Sequence, residues 1–306
     1  MATTMSAPRT TARQANKTWR SRRLPWLFVA PSLLIVLLVT IFPTLYSFYL
    51  SFFRWEPTIP NPPFIGLGNY AELFRTGRFV HAALITALIV GVAVTLELIF
   101  GFLFADFVMG DRRSHRLTVT LMLLPVMIMP VVVGYTWRLL WDAQYGPINQ
   151  IIGWVIGRPF TFVWLGQTWS ALIAIIITEV WQWTPFMFLV FYAGMATLDY
   201  EVYEAAEIDG AGPAQQFWRL TIPLMQPIIL VAVLIRALDA IKAFDLIYTL
   251  TGGAPGTSTE TIAFFIYKVG YQFFRLGFGA AASIVLLLVL SVMLSLLLRA
   301  LRGRVV

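Results

Sequence analysis

Six apolar runs divide the chain, at 26–53, 79–109, 117–141, 165–198, 224–250 and 273–298, with polar or proline-rich segments between them. Each reaches the roughly 20 residues that a helix needs to cross a bilayer. Lipid offers no partner for a bare backbone, so each run is predicted as a membrane-spanning helix. The expected fold class is an all-α integral membrane protein with six transmembrane helices. Pro31 and Pro43 are candidate kinks in the first span.

Composition agrees. Of 306 residues, 59% are hydrophobic and only 12% charged, and mean hydropathy is +0.78, against about 25% charged in soluble domains. The absence of cysteine excludes a disulfide framework and a thiolate metal site. His81 and His115 lack ligand spacing, so no metal is expected.

The net charge of +7 serves topology rather than nucleic acid. Residues 1–24 read as a disordered basic tail. The run 26–53 is too long for a signal-peptide core. The segments placed inside hold thirteen cations: Arg9, Arg13, Lys17, Arg20, Arg22, Arg23, Arg112, Arg113, Arg116, Arg219, Arg299, Arg302 and Arg304. Those placed outside hold five: Arg54, Arg75, Arg78, Arg158 and Lys268. The asymmetry predicts that both termini are cytoplasmic. It puts 199–223 on the same side, and the loops 54–78, 142–164 and 251–271 outside. An interfacial helix is expected near 262–271.

The segment 199–223 concentrates charge. Asp199, Glu201, Glu204, Glu207 and Asp209 are five of the fifteen carboxylates. Asp199 to Ile208 has helical periodicity. Gly210 is placed to end that helix. Asp209 or Gly212 can cap a second one, with Pro213 at its first position and Pro223 interrupting it. On general grounds the segment is a solvated loop. Its spacing adds more: Glu204-Ala205-Ala206, then Gly210, then Leu220-Thr221-Ile222-Pro223. This pattern resembles the signature loop of the membrane subunits of binding-protein-dependent ABC importers. The resemblance implies a coupling helix that docks on a cytoplasmic ATPase through Tyr203, Glu204, Ala205, Ala206, Asp209 and Gly210.

Ionisable residues within the spans are costly in lipid, and each needs a cavity or a partner. They include Glu97, Arg138, Glu179, Arg236, Asp239, Lys242 and Asp245. Arg138, near a span end, can snorkel. Glu97 has no local partner, which leaves a helix-packing bond and a pathway role equally open. Arg236, Asp239, Ala240 and Ala243 fall at i, i+3, i+4 and i+7, on one face, where the two alanines leave room for a polar solute. The structural alternative is a self-neutralising ladder, Arg236 with Asp239 and Lys242 with Asp245. In the fourth span Glu179, Gln182, Trp183 and Phe186 surround Pro185. Aromatic faces and carboxylate or amide rims suit a sugar. Trp137, Trp141 and Trp164 fit an interfacial belt.

Further segments extend the resemblance across nearly everything after residue 25: Phe64-Ile65-Gly66-Leu67-Gly68-Asn69-Tyr70, Trp181 to Phe186, Phe244 to Gly253, and Gly277 to Ala281. These look like the carbohydrate branch, the maltose- and glycerol-3-phosphate-type permeases. The resemblance implies a type I importer permease fold in the bacterial cytoplasmic membrane. It implies a second permease, two ATPase subunits and an external solute-binding protein as partners. Solute contacts are implied at Glu179, Trp183, Phe186, Arg236, Asp239, Ala240 and Ala243. No Gly-x-x-x-x-Gly-Lys is present, so ATP and magnesium are expected on the partner ATPase, with no cofactor and no catalytic residue here. An importer for an anionic solute held by Arg236, an ion-coupled transporter using Asp239 or Asp245, and an intramembrane enzyme using Glu97 or Glu179 as base are the alternatives.

Overall fold

A computed structural model describes residues 26, 28–110 and 115–302. The expected basic tail at 1–24 therefore lies outside the described residues, as do Arg112, Arg113 and Arg304. Helices dominate: α1 (Phe28–Leu50), α2 (Gly68–Arg75), α3 (Arg78–Gly110), α4 (His115–Met127), α5 (Pro130–Leu140), α6 (Pro147–Ile156), α7 (Thr168–Met195) and α8 (Tyr200–Ile208). They continue with α9 (Pro213–Ile241), α10 (Asp245–Leu250), α11 (Ile262–Tyr267) and α12 (Leu276–Arg302). Among the described residues the extended pairing is a single bridge, Phe53 with Phe64.

Among the described residues five helices are long and apolar enough to cross a membrane, and a sixth span forms if α4 and α5 are taken together. The third expected run, 117–141, is bent by 94° between Met127 and Pro130. Pro130 forces Met129 into an extended conformation (φ −59°, ψ 136°), which a helix cannot continue. The bend frees backbone carbonyls that lipid cannot satisfy. The buried Gln182 side chain reaches one of them, donating from Nε2 to the Ile128 carbonyl at 3.2 Å.

The fifth expected run also differs. Its helix ends at Ile241, and residues 245–250 form the separate α10. At its start, Pro223 does not interrupt the helix. A π-helical turn, Phe217–Thr221, precedes it, with the Ile222 N–H donating to the Phe217 carbonyl. The wider turn absorbs the proline ring and its missing donor, so α9 runs on. The same device, Leu37–Ile41, precedes Pro43 in α1.

Helix association in lipid rests on close packing rather than on water exclusion. The pair α3 and α7 is the most extensive. Gly101 sits there with room for no side chain, since a Cβ would lie 2.5 Å from Met187 Cβ and 2.8 Å from the Phe188 nitrogen. Around this contact Phe102, Met187, Phe188, Phe191 and, from α9, Met225 and Ala232 are buried. Large apolar residues of α1 such as Phe28, Ile35 and Val39 are exposed, as a lipid-facing surface requires.

At the end of the molecule opposite α8, polar pins fix the connections. Asn69 donates to the carbonyls of Ser51 (2.8 Å) and Phe53 (2.9 Å), and the Tyr70 hydroxyl meets Ser51 Oγ at 2.7 Å. Arg78 binds the fully buried Glu260 through two bonds of 2.8 and 2.9 Å. The expected interfacial helix near 262–271 is instead packed into the body. Ile262, Phe264 and Phe265 are buried, and a π-helical turn, Lys268–Gln272, continues α11. Trp141 is likewise buried, bonding Thr178 Oγ1 at 3.3 Å, instead of joining an interfacial belt. In the 142–145 turn the backbone N–H groups of Tyr145 and Gln144 hold the Asp142 carboxyl below its ordinary range.

Candidate functional site

Three helices converge on one guanidinium. Arg236 from α9 is 1% exposed and stands between Glu97 of α3 and Glu179 of α7. Its Nε lies 2.8 Å from Glu97 Oε2, and Nη2 lies 3.1 Å from Glu97 Oε1. Nη2 also donates to Glu179 Oε1. Trp183, one turn after Glu179, places its ring 4.6 Å from the guanidinium carbon. Asp239 is more distant, at 3.8 Å from Nη1, and half exposed. An isolated charge at this depth would be untenable, so the arginine and both acids require one another. Glu97, alone in the sequence, is thus a full member of the cluster.

Arg236 bridges three spans: Nε and Nη2 meet the two glutamates, while Nη1 has no hydrogen-bond partner among the described residues and faces Asp239. The ladder expected within α9 is only partly formed. Lys242 pairs with Asp239 at 3.7 Å, not with Asp245. Arg138, exposed in the last turn of α5, also reaches the Thr249 carbonyl at 3.4 Å.

Beside the cluster lies a cavity of about 290 Å³, lined by Pro130, Glu179, Gln182, Trp183, Asp239, Lys242, Ala243, Phe244, Asp245 and Leu246. Its walls come from the break in the third span, the middle of α7 and the end of α9. Of the expected solute contacts, Glu179, Trp183, Asp239 and Ala243 line it. Ala240 faces a much smaller adjoining void, together with Glu179 and Ala243. Phe186 packs against the apolar core around Phe188 and Phe191. Arg236 is enclosed behind the wall. Lys242 and Phe244 enter the site unforeseen. Their signal in the sequence is weak, because the helix end that turns them inward is set by packing. The cavity combines an aromatic face, an amide, three carboxylates and one lysine, a lining suited to a polyhydroxylated molecule.

The second site is α8. Asp199 stands at its N-cap, and the helix ends in a Schellman motif. The Ala211 N–H donates to Ala206 O at 2.9 Å and the Gly210 N–H to Glu207 O at 3.0 Å, with Gly210 at φ +81°. Gly212 caps the next turn, with Pro213 first. Glu201, Glu204, Ala205, Glu207 and Asp209 are exposed, and Ala206 is half-buried. Ile208, 86% exposed, stands out from the helix end. Tyr203 turns inward, its hydroxyl 3.0 Å from Thr221 Oγ1 at the base of α9. The helix therefore leaves an acidic, small-residue face exposed while being tied to a span.

Apolar spans, a polar cavity between them and a charged helix outside them define a membrane transport subunit. The chain belongs to the family of binding-protein-dependent transport system inner membrane components, whose model matches residues 97–306. It is a transport permease subunit and not an enzyme. It is 36% identical to the trehalose/maltose transport system permease protein MalF of Thermococcus litoralis, over 87% of this chain and 89% of that protein. It is 33% identical to the trehalose transport system permease protein SugA of Mycobacterium tuberculosis, over 87% of this chain and 84% of that protein. Its fold matches a chain of a bacterial ABC transporter involved in the import of the acidic polysaccharide alginate, with a TM-score of 0.82 and 23% identity. The match covers 94% of this chain and 99% of the other.

Proposed function

We propose that this chain is one permease of an ATP-driven importer for a sugar or sugar derivative. It pairs with a second permease, rests on two cytoplasmic ATPase subunits that bind ATP and magnesium, and receives solute from an external binding protein. Both termini and α8 lie on the cytoplasmic side, as the distribution of basic residues requires. Closure of the ATPases moves α8. The Tyr203–Thr221 contact passes that movement to α9, and the spans rock between inward-open and outward-open states.

The observation that carries the reading is the cavity between α7 and α9, joined to the sugar-permease kinship of the two relatives. Glu179, Gln182, Trp183 and Asp239 supply the aromatic face and the acceptor rim that a sugar needs. An anionic solute would need a free cation. Arg236 is enclosed by two carboxylates, and Lys242 is 3.7 Å from Asp239.

Co-purification from native membranes tests the assembly. An ATPase carrying a phosphate-binding loop, a second permease and a sugar-loaded binding protein are the expected companions. Recovery of the chain alone in mild detergent, with uptake that survives ATP depletion, would overturn the assignment in favour of an ion-coupled carrier.

A further inference from the structure

Beyond the cavity a row of aromatic rings continues across α10, α11 and the π-helical turn after it. Phe244 forms part of the cavity wall. Its ring stacks on Tyr248 at 5.3 Å and 24°, and meets Tyr267 at 4.8 Å. Tyr248 and Tyr267 stand edge-on at 5.7 Å. Tyr267 stacks on Tyr271 at 5.9 Å and 26°. The buried Phe264 lies behind the row, against Phe244 at 6.0 Å and Tyr267 at 6.1 Å, and fixes its orientation. Phe244 and Tyr267 are half-buried, whereas Tyr248 is 42% and Tyr271, at the far end of the row, 70% exposed.

A belt of tyrosines at a membrane interface needs no connection to the interior. This row has one: it starts in the wall that Asp239, Lys242 and Asp245 share. Flat aromatic faces accept the C–H face of a sugar ring, and the tyrosine hydroxyls reach its rim. Successive rings at these spacings let a sugar exchange one face for the next without full rehydration.

We propose that Phe244, Tyr248, Tyr267 and Tyr271 form a stacking track for sugar rings between the outer mouth and the cavity, with Tyr248 and Tyr267 as specificity-determining contacts. The proposal rests on the sugar-importer reading and adds a path to it.

The test is uptake by the assembled transporter in proteoliposomes, supplied with its solute-binding protein and a panel of labelled monosaccharides and disaccharides that includes maltose and trehalose. Tyr248→Leu and Tyr267→Leu keep apolar bulk and lose the ring. Each is expected to raise the KM for uptake about three- to tenfold, the worth of one aromatic stacking contact. Tyr248→Phe and Tyr267→Phe keep the stacking face and lose only the hydroxyl, so each is expected to raise KM less than the corresponding leucine variant. Tyr271→Leu changes a highly exposed residue that the fold does not need, and it is expected to raise KM in the same direction. Unchanged KM in all three leucine variants overturns the track. So does a loss that is equal for phenylalanine and leucine. Weaker attachment of the solute-binding protein in the leucine variants, at unchanged KM, marks the row as a protein-docking face and also overturns it. Failure of the wild-type transporter to take up any sugar of the panel counts against the sugar reading on which the track rests, and is distinct from normal wild-type uptake with insensitive variants.

Discussion

Arg236 has two carboxylates in direct contact, is 1% exposed and does not line the cavity. Arg236→Met would leave Glu97 and Glu179 buried without a counter-charge. The expected cost is about 3–5 kcal/mol, seen as a lower melting temperature and poor recovery of the assembled complex. Uptake should fall for neutral and anionic solutes alike. A variant that folds as well as the parent and loses only anion uptake would instead make Arg236 a solute ligand. The combined change Arg236→Met, Glu97→Gln and Glu179→Gln removes the charges together and should recover part of the stability, because no lone charge remains. The sequence shows that these residues are ionisable and lie within spans. It does not show that Glu97 and Arg236, 139 positions apart, are partners, since that contact depends on how α3 packs on α9.

At the scale of the element, α8 was almost wholly legible in the sequence, because short-range rules build it. Gly210, Gly212 and Pro213 each stand where helix-end chemistry wants them. Gly210 is at φ +81°, so Gly210→Val forces a branched side chain into the left-handed region, at about 1–2 kcal/mol or more. The neighbouring helix should tilt while the spans stay inserted. The expected result is normal membrane levels with ATP hydrolysis uncoupled from uptake. Glu204→Lys, which reverses an exposed charge on the same helix, should uncouple in the same way. Normal uptake by either variant would remove α8 from the coupling role. The continuity of α9 through Pro223 was not legible. Proline rules predict a break there, and the π-helical turn that avoids it is a property of the chain's packing.

At the scale of the whole molecule, two clasps near the end opposite α8 make a contrast. Arg78 and Glu260 join α3 to the segment before α11, with Glu260 fully buried. Arg275 and Glu72 join α2 to the start of α12 at 2.8 Å, with both side chains about one-third exposed. Glu260→Gln should lower stability by roughly 2–3 kcal/mol, because it strips a buried charge-assisted pair. Arg275→Ala should cost under about 1 kcal/mol, since exposed pairs contribute little. Thermal unfolding of the purified complex compares them directly, and equal costs would mean that burial does not govern the clasps. The sequence by itself determined the class of this protein: the number and approximate place of its apolar runs, the acidic helix between two of them, and the residue types suited to a sugar. Composition, periodicity and helix-end chemistry act over a few turns, so they can be read locally. Only the tertiary structure decided the 94° break in the third span, the early end of the fifth, the withdrawal of Arg236 behind two acids and the cavity that its enclosure leaves to Trp183, Gln182 and Asp239. Each depends on which helix faces which, and in lipid that choice is made by shape and by the pairing of buried polar groups, with little help from hydrophobicity.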